Sequence, residues 1–111
     1  MTMNYSDNLI SCRRVGRGKS RIVHRGVNSV NVGQTLNISN LISITPSSYA
    51  AMDEWGYRYL TPTDTGGPQK AYVHNFGSIN SSGLFTAAAA GIGLVWAEND
   101  DIVEYFTIKV V

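Results

Sequence analysis

The amino-acid sequence predicts an all-β fold in which two sheets pack as a sandwich. Its 111 residues suit one domain, and its 11 Gly, 6 Tyr, 3 Phe and 2 Trp favour strands and turns over helices. Short apolar segments also alternate with turn residues along most of the chain. Hydrophobic residues make up 43% and charged residues only 15% of the chain, a composition that argues against a disordered protein.

The composition also argues against several other classes of protein. A single cysteine, Cys12, excludes a disulfide framework and a zinc site built from cysteines. The longest apolar run, residues 84–96, is too short to cross a bilayer as a helix. Residues 1–25 contain no apolar segment of the kind that a signal peptide needs.

Seven or eight short strands are predicted along the chain. Residues 20–32 and 35–44 are extended segments separated by a turn, and Thr45-Pro46 ends the second of them because proline cannot donate to a strand ladder. Residues 47–54 are the only stretch that tolerates a helical turn or two. A strand at 55–60, a Gly- and Pro-rich loop at 61–69 and a short strand at 70–74 follow.

The last third of the chain gives the clearest local signals. Residues 79–85 predict a strand, a tight turn and a second strand, with Gly83 at positive φ. Two longer strands, 92–97 and 102–111, are joined by the polar turn 98–101 and form the best-supported hairpin. Glu104 interrupts the apolar face of the final strand and is expected near its rim. Between the two sheets, we expect the buried side chains to include Ile92, Leu94, Trp96, Phe106 and Ile108.

Four motifs in the chain point to one family. Residues 77–87 are Gly-Ser-Ile-Asn-Ser-Ser-Gly-Leu-Phe-Thr-Ala, and residues 90–97 are Ala-Gly-Ile-Gly-Leu-Val-Trp-Ala. Together with residues 29–36 and the closing strand 105–111, they resemble the pattern of bacterial immunoglobulin-like domains of the second group. The resemblance spans about residues 27–111 and implies an immunoglobulin-like β-sandwich without catalytic activity. Such domains act as spacers and interaction modules in surface adhesins and secreted enzymes, and as additions to phage capsid and tail proteins.

The formal net charge of +1 hides a strong asymmetry. Residues 1–25 contain six cations and a single acid, a net charge of +5, whereas residues 26–111 have a net charge of −4. We therefore predict an extended basic docking arm over residues 1–26, followed by an immunoglobulin-like β-sandwich over 27–111. The predicted partner-binding residues are Arg13, Arg14, Arg17, Lys19, Arg21 and Arg25.

The basic arm has three interpretations: it binds an acidic protein surface, it contacts nucleic acid through phosphates, or it is solvated and idle. Ordering a Gly- and Arg-rich segment costs roughly 1–2 kcal/mol of backbone entropy per residue, so we expect a partner to hold it. No aromatic residues interleave the arginines, which favours a protein partner over nucleic acid. A membrane is not expected as a partner.

No catalytic residue, cofactor or metal is predicted. The stretch 16–20 ends in Gly-Lys-Ser, but Arg13 stands where a phosphate-binding loop needs a glycine. His24 and His74 are far apart in sequence and have no evident metal-ligating neighbours. Cys12 with His24 makes no convincing nucleophile and base, because nothing in the sequence orients that pair.

Two further clusters have a functional and an ordinary interpretation. Residues 98–101, Glu-Asn-Asp-Asp, would suit calcium, but these residue types are also common in turns. Trp55, Tyr57 and Tyr59, with Tyr72, could stack on a sugar ring, but a sandwich core or a subunit contact also uses large aromatics. The core or subunit contact is the favoured interpretation.

Together these observations predict a non-enzymatic structural or interaction protein. The chain starts with Met, shows no secretion signal and has an arm that a partner could order. We therefore expect a phage virion component, namely a capsid decoration, head-fibre or tail accessory protein, which docks in many copies on capsid or tail subunits. The alternative is an extracellular, cell-surface adhesion or carbohydrate-binding module of a secreted bacterial protein.

Overall fold

The computed structural model of the chain describes residues 18–53, 58–60 and 76–111, with only the backbone at 58–60. These residues form two β-sheets and a single short 3-10 helix, Ile38–Asn40, which confirms the all-β prediction. The described strands are β1 (Arg21–Val30), β2 (Thr35–Asn37), β3 (Ser48–Asp53), β4 (Arg58–Leu60), β5 (Gly77–Ile79), β6 (Leu84–Ala87), β7 (Gly91–Glu98) and β8 (Ile102–Val110).

The larger sheet has five strands in the order β1-β8-β7-β3-β4, and the smaller has three in the order β2-β6-β5. β1 runs parallel to β8, whereas the other strand pairs are antiparallel. The predicted hairpin of the two final strands is confirmed: β7 and β8 pair from Gly91 opposite Val110 to Glu98 opposite Val103. This hairpin lies at the centre of the larger sheet, so β1 and β3 are both built onto it.

The main hydrophobic core lies between the two sheets. Because side chains alternate across a strand, every second residue of β7 and β8 points to the smaller sheet. Phe106 and Ile108 lie in this core, as expected from the sequence, and Phe85 of the smaller sheet faces them with no exposed surface. The buried residues of this core are Val30, Ile38, Tyr49, Ala51, Phe76, Ile79, Phe85, Ala87, Val95, Ala97, Phe106, Ile108 and Val110.

A second buried cluster lies on the opposite face of the larger sheet. It comprises Ala50, Met52, Leu94, Trp96, Val103 and Tyr105. The expectation that Leu94 and Trp96 lie between the sheets is therefore wrong, although both side chains are buried. The residue between them, Val95, faces the main core instead, and Ile92 is only half-buried. In β7, Ile92, Leu94 and Trp96 alternate with Gly, Val and Ala, so both faces of the strand are apolar. The pattern alone therefore could not determine which face of β7 packs against the smaller sheet.

The stretch that tolerated a helical turn forms strand β3 instead. Ala50, Ala51 and Met52 pair with β7 on one side and with β4 on the other, so the backbone hydrogen bonds of β3 come from two neighbouring strands. Tertiary pairing of this kind overrides the intrinsic helix preference of alanine and methionine. Within the described ranges, no helix has the length and apolar character needed to cross a membrane.

Two other predicted strands differ from the structure or lie partly outside it. The segment 35–44 stays extended only through β2 and then forms the 3-10 helix, because the Asn37 side chain accepts a hydrogen bond from the Ser39 N–H at 3.2 Å. In the segment 55–60, the described part is β4. The predicted strand 70–74 lies outside the described residues.

The turn between β5 and β6 matches the sequence prediction. Gly83 has φ of 89°, and its N–H donates to the Asn80 carbonyl at 3.0 Å, while the Asn80 N–H donates to the Leu84 carbonyl at 3.1 Å. This is the arrangement of a three-residue hairpin loop that ends in a left-handed residue. The Tyr49 ring lies directly against Gly83, and burial raises the pKa of the Tyr49 phenol above its ordinary value.

We expect Gly83→Val to lower the free energy of unfolding by about 2–4 kcal/mol, because a β-branched residue is strained at positive φ and its Cβ would collide with the Tyr49 ring. Urea denaturation measures the change. Gly33→Val is the matched control, since Gly33 has φ of 88° but nothing within 4 Å of an added Cβ. Gly33→Val should lower the free energy of unfolding less than Gly83→Val does. Equal losses of stability in the two variants would contradict the contact between Gly83 and Tyr49.

Candidate functional site

The described part of the expected docking arm is joined to the sandwich. Strand β1 starts at Arg21, and its residues pair with β8 from Arg21 opposite Ile102 to His24 opposite Tyr105. The sheet therefore begins at Arg21, inside the predicted arm, and residues 21–24 of that arm pair with their own sandwich. The segment 1–17, with Arg13, Arg14 and Arg17, lies outside the described residues.

Lys19 binds its own chain rather than standing ready for a partner. Its Nζ donates to the Asn99 carbonyl at 2.6 Å and lies 3.2 Å from Glu98 Oε2. The other oxygen of that carboxylate, Oε1, accepts the Trp96 indole N–H at 2.8 Å. Glu98 thus binds the buried Trp96 indole with one oxygen and Lys19 with the other, so Lys19, one of the predicted partner-binding residues, has these contacts within its own chain.

Backbone hydrogen bonds reinforce this attachment next to the β7–β8 turn. The N–H groups of Ser20 and Arg21 donate to the Asp101 carbonyl at 2.7 and 3.1 Å. Inside the turn, the Asn99 side chain accepts from the N–H groups of Asp101 and Ile102 at 3.0 and 3.1 Å. The polar turn 98–101 therefore organises its own backbone and fixes the point where the basic segment enters the sheet.

β1 forms one edge of the larger sheet, with β8 as its only neighbour among the described strands. The Arg21 N–H bonds to Asp101, so the backbone groups of Arg21 point toward the β8 side. Successive residues of a strand direct their N–H and C=O groups to opposite sides. The backbone N–H and C=O groups of Ile22 and His24 therefore point away from β8.

The same reasoning applies beyond the β-bulge that separates His24 from Val27, where Gly26 has φ of 119°. The Val30 carbonyl accepts the Val111 N–H at 2.9 Å, so Val30 faces the β8 side. Val27 and Ser29 consequently face away from it. We define the open edge of β1 as the backbone N–H and C=O groups of Ile22, His24, Val27 and Ser29.

The side chains along this edge are apolar and cationic. Ile22 is 41% exposed and Val27 is 66% exposed, and both Arg21 and Arg25 are exposed. Residues 18–32 contain no Asp or Glu at all. With Lys19 held by Glu98, this leaves a basic edge with exposed aliphatic groups, which is the part of the predicted arm that the structure describes.

His24 has two contacts on the sheet surface. Its ring stacks on Tyr105, with centroids 4.6 Å apart and planes 19° apart, and its Nε2 lies 3.1 Å from Thr107 Oγ1. These contacts give His24 a role in holding the edge strand. Within the described ranges, no group of three or more His, Cys, Asp or Glu is arranged to hold a metal ion.

The aromatic strip proposed for sugar stacking is largely outside the described structure. Trp55, Tyr57 and Tyr72 lie outside the described residues, as do Cys12 and His74. Tyr59 lies in β4 with its Cα opposite that of Ala51. Of the predicted aromatic residues, only Tyr59 therefore lies within the part of the chain that the structure describes.

Sequence reasoning missed the open edge and the attachment of Lys19 for different reasons. The absence of acids from 18–32 and the glycine at position 26 are visible in the sequence and could have indicated a basic edge strand with a bulge. The attachment of Lys19 joins groups as much as 80 residues apart, for which the sequence contains no local signal.

The comparisons with known proteins give no relative. No protein-family model matches the chain, and no match is found among curated proteins or solved structures. The likeness to bacterial immunoglobulin-like domains therefore depends on the quoted motifs, and the function has to be argued from the residues of this chain.

Proposed function

We propose that this chain is a non-enzymatic interaction subunit that docks on a protein assembly through its basic N-terminal segment. The observation that carries the proposal is the placement of charge: a segment with a net charge of +5 leads into an exposed edge strand, while the rest of the chain has a net charge of −4. An acidic protein surface is the complementary partner for such a segment.

The sandwich is of the immunoglobulin-like type in this proposal. The strand order supports it, because in chain order the larger sheet corresponds to strands A-G-F-C-C′ and the smaller to B-E-D. The first strand lies beside the last strand of the domain instead of beside the second, and it runs parallel to its neighbour. The quoted motifs in β5, β6 and β7 support the same assignment.

The assembly proposed is a phage particle, in which the protein is a capsid decoration, head-fibre or tail accessory component. Support comes from the family resemblance, whose members include additions to capsid and tail proteins, and from the arginine-rich arm. Arginine suits a protein interface because its planar guanidinium forms paired hydrogen bonds with carboxylates. The cations of the described segment that remain exposed are Arg21 and Arg25.

Replacing Arg13, Arg14 and Arg17 together with Ser tests the docking role. We expect the variant to fold but to occupy the particle less, because it lacks three of the six cations of the basic segment and is attracted more weakly to an acidic surface. The measurement is co-sedimentation of the purified protein with the particles. Lys109→Ser is the matched control, because Lys109 is an exposed cation of β8 outside the arm.

Undiminished occupancy of the particle by the triple variant would contradict the docking arm. Retention on polysaccharide with no affinity for the particle would instead support a carbohydrate-binding surface module. Raising the salt concentration should weaken binding of the unmodified protein, since exposed charges more than about 10 Å apart are largely screened at 0.1 M salt.

A further inference from the structure

We infer that the open edge of β1 binds an acidic, extended segment of the partner protein by strand addition. The inference rests on the proposed docking function and names the type of contact that it uses. An edge strand with unpaired N–H and C=O groups is a template for another strand. Within the described residues no strand pairs with this side of β1, where the N–H and C=O groups of Ile22, His24, Val27 and Ser29 run along most of a ten-residue strand.

The charges along β1 determine which strand fits. Arg21 and Arg25 are exposed, and the strand contains no acid that could neutralise them within its own sequence. In a sheet, an opposite charge on a neighbouring strand is stabilising and a like charge directly opposite is destabilising. A partner strand with Asp or Glu at alternate positions therefore matches β1.

A second copy of this chain fits the same edge less well. If two β1 strands paired, each Arg21 and Arg25 would approach a strand that carries the same cations and no acid. That repulsion acts against self-pairing, as charged residues on edge strands commonly do. The open edge is thus protected against its own copies but not against an acidic partner.

The exposed aliphatic side chains add to this match. Ile22 and Val27 lie on the same face of β1 as His24, and their exposure of 41% and 66% leaves apolar surface that an added strand could cover. Burying apolar surface contributes roughly 25 cal/mol per Å². The acidic partner segment should therefore carry apolar residues between its acids, which is the pattern of a strand.

Hydrogen exchange on the full chain tests the inference with a blocked synthetic peptide that alternates Glu with Val. The amides of Ile22, His24, Val27 and Ser29 should exchange about tenfold more slowly when the peptide is present, because they gain hydrogen-bond acceptors. The amides of Arg21 and Val30, which face β8, should not change. Unchanged exchange at the open edge would overturn strand addition.

The control peptide has the same sequence with an N-methyl group on every amide, so it keeps the charge but can donate no backbone hydrogen bond from either edge. It should leave exchange at the open edge unchanged. Equal protection by both peptides would show that charge alone binds the peptide, and would overturn strand addition. Binding of an oligonucleotide at this edge with no binding of the acidic peptide would also overturn it.

A pair of variants at Ile22 makes the second test. Ile22→Pro removes an N–H that faces away from β8, and proline is tolerated on edge strands. It should weaken peptide binding by about tenfold, whereas Ile22→Thr, which keeps the N–H, should bind the peptide nearly as well as the unmodified protein. Far-UV circular dichroism confirms that both variants are folded.

The same variants separate this inference from the docking function. If Ile22→Pro occupies the particle fully and the triple arginine variant does not, strand addition is wrong and the docking function stands. If neither variant loses occupancy, both are wrong. A concentration-dependent dimer that Ile22→Pro abolishes would assign the open edge to a second copy and overturn the acidic partner.

Discussion

We expect Trp96→Ala to lower the free energy of unfolding by about 3–5 kcal/mol, enough to unfold most of the molecules of a small domain. Trp96 is only 2% exposed and lies with Leu94 and Tyr105 in the cluster on the outer face of the larger sheet. Truncation would remove the indole from this cluster and leave a cavity at the central hairpin. It would also remove the N–H that donates to Glu98.

Thermal or urea denaturation measures this loss, and Trp96→Phe separates its two causes. Phenylalanine fills much of the same space but has no N–H, so we expect a smaller loss of about 1–2 kcal/mol. The Glu98 carboxylate also binds Lys19, so the nuclear magnetic resonance signals of Lys19 should shift in Trp96→Phe. A loss below 1 kcal/mol for Trp96→Ala would contradict the burial of this side chain.

We expect Glu104→Ala to lower the free energy of unfolding by about 2–4 kcal/mol, through lost hydrogen bonds to a charged group and a cavity in the sheet. Glu104, the third residue of β8, is only 2% exposed although it carries a carboxylate. Its Oε1 accepts the Ser43 N–H at 2.8 Å and its Oε2 accepts the Ser43 hydroxyl. These two bonds tie the segment before β3 to the larger sheet.

Chemical denaturation of Glu104→Ala, Ser43→Ala and the double variant tests this pair. Ser43→Ala removes the hydroxyl alone, so the buried carboxylate keeps the Ser43 N–H and the cost should be about 1–2 kcal/mol. The losses should not add, because both single variants break the same contact. Strictly additive losses would show that Glu104 and Ser43 are not coupled.

The parts of the fold that could be predicted from the sequence have short-range causes. The β5–β6 turn was predictable because Asn80 and Gly83 determine its backbone within four residues, through a side-chain acceptor and a positive φ. The β7–β8 hairpin was predictable because two alternating apolar runs flank a turn whose Asn99 caps its own backbone. The separation of charge along the chain is likewise a property of the sequence.

The location of the buried polar groups was not predictable in this way. Glu104 was expected near the rim of its strand, but Ser43, which lies 61 residues away in sequence, accommodates it in the interior. Lys19 was predicted only as a partner-binding cation of the arm, and nothing in the sequence indicated its bonds to Glu98 and Asn99. A carboxylate or ammonium can be buried only where matching groups converge, and that convergence depends on how the strands pair.

The sequence by itself therefore determined the all-β class, the two C-terminal hairpins, the turn glycine and the concentration of cations in the first 25 residues. Only the tertiary structure decided that Leu94 and Trp96 lie on the outer face, that the Ala-rich segment becomes β3, and that β1 is an edge strand of the larger sheet. The physical reason is the range of the interactions. Turns and the alternation of apolar residues depend on residues close together in sequence. Which face of a strand is buried, and which strand lies at the edge of a sheet, depends on which distant strands form hydrogen bonds with each other.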